Sequence, residues 1–164
     1  MRGLLSHYGT FPPTMTKTPH SASQPPLVDY EQKLKNDFSL FLRLCWKSLA
    51  LPPPTRAQLA MARYLQHGGS RIMLQAFRGV GKSWITAAFV LWVLWNDRDK
   101  KILVVSASKQ RADDFTVFTQ KCILEFDWLS HMRPVNDDQR WSRVSFDIAG
   151  CRPAQSPSVK SVGI

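Results

Sequence analysis

Arg71-Ile72-Met73-Leu74-Gln75-Ala76-Phe77-Arg78-Gly79-Val80-Gly81-Lys82-Ser83-Trp84-Ile85-Thr86-Ala87-Ala88-Phe89-Val90-Leu91-Trp92-Val93-Leu94-Trp95 is the stretch on which the fold turns. A short apolar run, Ile72 to Ala76, gives way to a glycine-bearing loop, then to Gly81-Lys82-Ser83 and an apolar segment of helical length. Strand, phosphate loop and helix, in that order, make a P-loop. Gly79 and Gly81 let the backbone turn tightly and approach an anion without hindrance from Cβ. Phe77, Arg78, Gly79, Val80 and Gly81 then present successive N–H groups, and the helix beginning near Lys82 adds its positive end. Lys82 is placed to reach the β- and γ-phosphates of a nucleoside triphosphate such as ATP, and the Ser83 hydroxyl to sit on Mg²⁺.

Ala76 stands where the first glycine of G-x-x-x-x-G-K-[ST] belongs. A bare Gly-Lys-Ser tripeptide arises by chance; the apolar flanks favour nucleotide binding over a strand-turn-helix with an incidental lysine. The reading needs a strand leading into the turn and a Lys82 that points toward it.

With 164 residues the chain is long enough for one domain with a sizeable core. Its 22 Lys and Arg against 12 Asp and Glu leave a net +10, an excess that suits a polyanionic partner, nucleic acid first. Ribosomal, membrane-surface and simply soluble proteins can be as basic. Cys45, Cys122 and Cys151 are odd in number, widely spaced and without a CxxC pair, which argues against a disulfide framework or zinc site and for a reducing compartment. Met1 to Gly9 holds no apolar run long enough for a secretory signal, so none is expected here. Trp84 to Trp95 is too short to span a membrane, which takes roughly 20 residues, so it reads as a buried helix.

Residues 1–28, with five prolines and little aliphatic periodicity, read as a disordered tail, within which Met15 is an alternative start to Met1. From Asp29, taken as a cap with Gln32 as its partner, Tyr30, Leu34, Phe38, Phe41, Leu42, Cys45 and Leu49 recur at helical spacing. Pro52-Pro53-Pro54 ends that helix. Thr55 caps a second one, Arg56 to about His67, ending at Gly68-Gly69. Gln58 has two readings: the partner in a Thr-x-x-Gln capping box, or an amide that pairs with adenine. The helix after the phosphate loop is apolar nearly all round and belongs between the sheet and another layer, its aromatics serving as core.

Lys101 to Ala107 predicts a buried parallel-type strand, and Ser108 starts a helix with Ala112, Phe115, Phe118, Cys122, Ile123 and Phe126 inward. His131 to Arg140 reads as a polar loop, Trp141 to Ile148 as a more exposed strand and Ser158 to Ile164 as a short terminal strand. The fold class is α/β, a P-loop NTPase-type parallel sheet with flanking helices, incomplete at the C-terminus.

Ligands of open α/β sheets sit at the carboxyl ends of strands. Phe77 to Ser83 and Ser106-Ala107-Ser108-Lys109-Gln110-Arg111 therefore share one surface, although Lys109 and Arg111 suit a solvated face equally well. Arg78 lies inside the phosphate loop, where the turn does not need it. It is a catalytic candidate beside Lys82, stabilising charge on the γ-phosphoryl group as a finger supplied in cis, with a bystander surface arginine as the alternative. Hydrolysis also needs a strand-borne acid near Mg²⁺ and a carboxylate that activates water. Asp147 is a weak candidate for this, and Asp113-Asp114, on a helix, a weaker one.

Three motifs together, Gln75 to Ser83, Lys101 to Lys109 and Ser156 to Ile164, resemble the large terminase subunit of short-tailed, T7-like bacteriophages from about Phe38 onward. The resemblance implies the ATPase part of a motor that drives double-stranded DNA into a procapsid in the cytoplasm of the bacterial host. Portal protein and small terminase subunit would be its partners, with self-association on the portal and no membrane. It implies that Gln58 contacts adenine, that Arg78, Lys82 and Ser83 serve the phosphates and Mg²⁺, and that the family tolerates Ala76. In the family, the acid pair follows shortly after a stretch like Ser161-Val162-Gly163-Ile164, and a nuclease domain follows later. Residues 29–164 are accordingly expected to form a partial P-loop ATPase domain, competent at most to bind ATP. A partial sequence, a truncated prophage remnant and a naturally short product all fit. A parallel sheet cut before a central strand exposes an apolar edge, so low stability or aggregation is expected of this piece alone. A helicase-like DNA translocase fragment and a non-catalytic basic DNA-binding module are the alternatives.

Overall fold

The computed structural model describes residues 27–136 and 138–164. The tail expected over residues 1–28 lies outside them, apart from Leu27 and Val28, which open the first helix. Where one long helix was expected from Asp29 there are two, α1 (Leu27–Asn36) and α2 (Phe38–Ser48). Asp37 causes the break. Its carboxylate accepts from the N–H groups of Ser39 and Leu40, the N-cap arrangement of a new helix. Asp29, expected as the cap, sits in the first turn of α1 and pairs with Lys33 at 2.6 Å, while Gln32 bonds Asn36.

α3 (Arg56–His67) closes back on this junction. The Gln66 amide accepts from Phe38 N–H at 2.9 Å and donates to the Asn36 carbonyl at 2.7 Å. α4 (Lys82–Asn96) is the centre of the molecule, with Ile85, Ala87, Ala88, Val90, Leu91, Leu94 and Trp95 buried. It packs against α1, α2, α3 and the later helix α5 (Lys109–Glu125), and it shares a hollow with the strand residues Ile102 to Ser106. Phe89, Trp92 and Trp95 join the core, as expected, whereas Trp84 is 40% exposed. Phe38 meets Phe89 edge-on at 5.2 Å and Trp92 at 5.5 Å, Phe41 meets Trp95 at 5.3 Å, and Trp92 Nε1 donates to the Leu34 carbonyl.

The sheet has three strands, β1 (Ile102–Ser106), β2 (Ser145–Phe146) and β3 (Val159–Gly163), in the order β1-β3-β2. β1 and β3 run parallel, with Ile102 opposite Val159 and Ser106 opposite Gly163. β2 joins antiparallel, so the sheet is mixed where a wholly parallel one was expected. The strand anticipated from Trp141 to Ile148 shrinks to two residues and a bridge because the chain folds on itself at Ser142 and Ser145. There the Ser142 N–H and hydroxyl both donate to the Ser145 carbonyl. The loop expected from His131 starts later, since a 3-10 turn over Asp127–Met132 buries Leu129 and Met132.

One face of the β1–β3 pair lies under α5. A Cβ on Gly163 would stand 2.6 Å from Lys109 Cα, so only glycine lets the helix start come this near. On the same face Ser161 donates to Asp113 at 2.7 Å, and the bonds from Lys109 and Ser161 hold that carboxyl below its ordinary pKa. The other face is open, with Leu103 62% and Val105 52% exposed. Parallel strands are normally covered on both faces.

Burial raises the Cys45 thiol well above its ordinary pKa and pushes Cys122 up to about 12. Both are therefore neutral thiols in the folded protein at pH 8. With Cys151 only half-buried, a thiol reagent in native buffer is expected to label one cysteine quickly and the other two only on unfolding.

Candidate nucleotide-binding site

The loop ahead of α4 is shaped by two glycines in the left-handed region, Gly79 at φ 92° and Gly81 at φ 86°. A side chain at either position would be strained. Gly81 is the N-cap of α4 and no side chain satisfies the helix's first N–H groups, which leaves them available to an anion. Lys82 folds into the turn. Its Nζ donates to the carbonyl oxygens of Ala76 at 2.8 Å and Phe77 at 2.9 Å.

Lys82 points into the turn as expected, but among the described residues no strand leads into it, so the expected strand–loop–helix order is corrected to a loop and a helix alone. Ile72 to Ala76 forms no strand, because no strand among the described residues lies beside it to complete a ladder. Ile72 is 39% and Met73 81% exposed, while Leu74 and Ala76 pack against the core.

A hollow of about 710 Å³ opens at the loop, lined by Ala76, Arg78, Gly79, Gly81, Lys82, Ser83, Trp84 and Arg111. Three cations, a hydroxyl and a free helix start converge there; among the described residues no carboxylate lines it, while Asp114 lines the adjoining hollow that shares Lys82, Ser83 and Arg111. That donor set suits a polyphosphate. Arg78 and Ser83 thus reach the same space as Lys82, and Arg111 comes to it from the start of α5. Lys109, grouped with Arg111 by sequence, instead pairs with Asp113 at 2.7 Å. The Phe77 side chain is 69% exposed, and its carbonyl accepts from Lys82. Val80 is buried at 6% and anchors the loop in the core.

Gln58 makes the capping box. Thr55 Oγ accepts from Gln58 N–H, and Gln58 Oε1 accepts from Thr55 N–H at 2.8 Å. Its Nε2 also donates to the Val80 carbonyl at 3.0 Å, a bond into the glycine-bearing loop that the sequence pattern did not signal. On this side of the loop lies a second hollow of about 360 Å³. Trp46, Leu51, Pro52 and Pro53 wall it; the sequence had marked the prolines only as helix breakers.

Ser83 is the one candidate metal ligand in the loop, and among the described residues no three His, Cys, Asp or Glu side chains gather around a common point. Asp147 is committed elsewhere, its carboxylate accepting from Ser158 N–H at 2.7 Å. Asp113 is likewise held by Ser161 and Lys109. No helix among the described residues is long and apolar enough to cross a membrane.

Over 133 residues the chain is 50% identical to the terminase large subunit of Enterobacteria phage T3. The chain is a relative of the phage terminase large subunit. The match takes in 80% of this chain and 22% of the T3 protein, so the chain spans about a fifth of the length of the curated relative it matches. No family model matches it. The terminase relationship covers the greater part of the chain, and the loop just described gives it a candidate site.

Proposed function

We propose that this chain is the nucleotide-binding part of a viral DNA-packaging motor, holding ATP with Mg²⁺ at residues 75–83. The observation that carries the reading is Lys82 turned into a loop of two left-handed glycines, beside Arg78 and Arg111, at an uncapped helix start. The terminase relationship supports it. When bound, the triphosphate supplies the transferable phosphoryl group. Lys82 exchanges its two carbonyl partners for phosphate oxygens, and Ser83 offers a hydroxyl to the metal. Arg78 neutralises charge on the terminal phosphate, and the hollow walled by Trp46, Leu51 and Pro52 receives the base. Residues 29–164 act as part of a P-loop ATPase domain. We expect the chain to bind ATP and to turn it over slowly or not at all.

Double-stranded DNA is the polyanion that the net charge of +10 addresses, with portal protein, small terminase subunit and further copies as assembly partners in the host cytoplasm. Duplex binding measured by fluorescence anisotropy, with and without MgATP, tests the coupling. The motor reading predicts that ATP changes duplex affinity and that Lys82→Ala abolishes the change. A basic DNA-binding module predicts steeply salt-dependent binding that neither ATP nor Lys82→Ala alters, and that result would overturn the proposal.

A further inference from the structure

We propose that Arg111 gives the site a preference for a triphosphate over a diphosphate, by meeting the terminal phosphate from α5; the inference rests on the nucleotide site proposed above. The phosphate hollow and the adjoining one, of about 690 Å³, meet at Lys82, Ser83, Trp84 and Arg111. The first lies over the loop glycines, and the second runs on along β1 and takes in its carboxyl end at Ser106. Phosphates gripped by the glycine turn and the start of α4 therefore extend toward this shared rim. Lys82 and Ser83 belong to the gripping element itself. Arg111 is the one polar side chain of the rim that comes from elsewhere in the fold, so the phosphate farthest along the chain of three is the one that reaches it.

The backbone of Arg111 is fixed while its charge is left unbalanced. Ser108 caps α5 by accepting from the Arg111 N–H, and Gly163 lets the helix start at Lys109 lie close against β3. Neither α4 nor α5 has an acid in its first turn, yet Lys82 and Arg111 stand there, cations at the positive ends of two helix dipoles. Lys109 is balanced by Asp113 at 2.7 Å. Arg111 forms no ion pair among the described residues, and Asp114, one turn along, lies 3.9 Å from Arg143 instead. Across both hollows Arg78, Lys82 and Arg111 outnumber the single carboxylate, Asp114. Like charges gathered in this way destabilise the empty protein, and an anion relieves the repulsion. The terminal phosphate is the anion that a diphosphate lacks, so the arginine contributes to binding the one ligand and little to the other.

Calorimetric titration of the intact chain and of Arg111→Gln with MgATP, MgADP, tripolyphosphate and pyrophosphate tests this, together with the thermal midpoint of each chain without ligand. The wild-type chain is expected to favour the triphosphate of each pair. In Arg111→Gln, MgATP and tripolyphosphate should weaken about tenfold, the loss of a charged hydrogen bond, and MgADP and pyrophosphate less than about twofold. The ligand-free midpoint should rise by about 1–4 °C as the repulsion is relieved. Arg111→Lys keeps the charge and should retain more of the preference than Arg111→Gln does. Equal weakening of all the ligands, or of none, overturns the inference. So does a lowered midpoint, or an Arg111→Gln chain that fails to fold, since either makes the arginine a structural part. A wild-type chain that binds all the ligands alike overturns this inference alone, and one that binds none of them defeats the nucleotide reading with it.

Discussion

Lys82→Ala is expected to weaken MgATP binding by about ten- to a hundredfold, the usual worth of hydrogen bonds to a charged group. The ammonium group is the compact point charge nearest the loop carbonyls, and its Nζ lies within 2.9 Å of both Ala76 and Phe77 oxygens. A triphosphate replaces these two neutral acceptors with anionic ones, so the lysine contributes more with ligand than without. Arg78 and Arg111 keep part of the positive field, which is why the loss stays short of complete. Lys82 lies at the start of α4 with its aliphatic stem half-buried, and none of the fully buried core depends on it. The thermal midpoint of Lys82→Ala should accordingly stay close to that of the wild-type chain. A fluorescent-nucleotide titration reads the affinity; an unchanged dissociation constant would remove Lys82 from the site.

Phe38→Ala is expected to cost about 3–5 kcal/mol of folding stability, read by urea denaturation. The ring is fully buried at the start of α2 and touches Phe41, Phe89 and Trp92, with centroids 6.4, 5.2 and 5.5 Å away. With Phe41, which meets Trp95, it is one of the side chains through which α2 grips α4. The Phe38 N–H bond to Gln66 survives the substitution, so the loss is one of packing and aromatic contact, not of a cap. Since whole domains are stable by only about 5–15 kcal/mol, the variant should unfold at low urea or be partly unfolded without it. A shift under about 1 kcal/mol would mean that the α2–α4 contact is not what holds the helical layer together.

Much of this was legible in the sequence because it depends on neighbours in the chain. Thr55 with Gln58, Ser108 ahead of α5, and the glycines of the phosphate loop are local signals, and the structure places each cap where the pattern put it. The α1–α2 break was missed because the apolar stripe runs through Asp37 at unbroken helical spacing. The Asp37 cap makes the break, and Gln66, some 30 residues away, secures it by bonding both Asn36 and Phe38. Strand pairing failed for the same reason. Ile72 to Ala76 has strand composition, but a strand needs a partner, and composition says nothing about whether one is at hand. The wall formed by Trp46 and Pro52 was hidden in residues whose first role is to fill and end a helix. The Gln58–Val80 bond likewise joins residues 22 apart, with no pattern to announce it.

The central claim is that the turn from Gln75 to Ser83 holds phosphates. Amide chemical shifts recorded while inorganic tripolyphosphate is added to the isotopically labelled chain test it at single-residue resolution. The account predicts saturable changes largest at Gly79, Gly81, Lys82 and Ser83, absent in Lys82→Ala at the same ligand concentration. Changes spread over the basic segment from Arg140 to Arg152, with the Gly79–Ser83 amides unmoved, would contradict it.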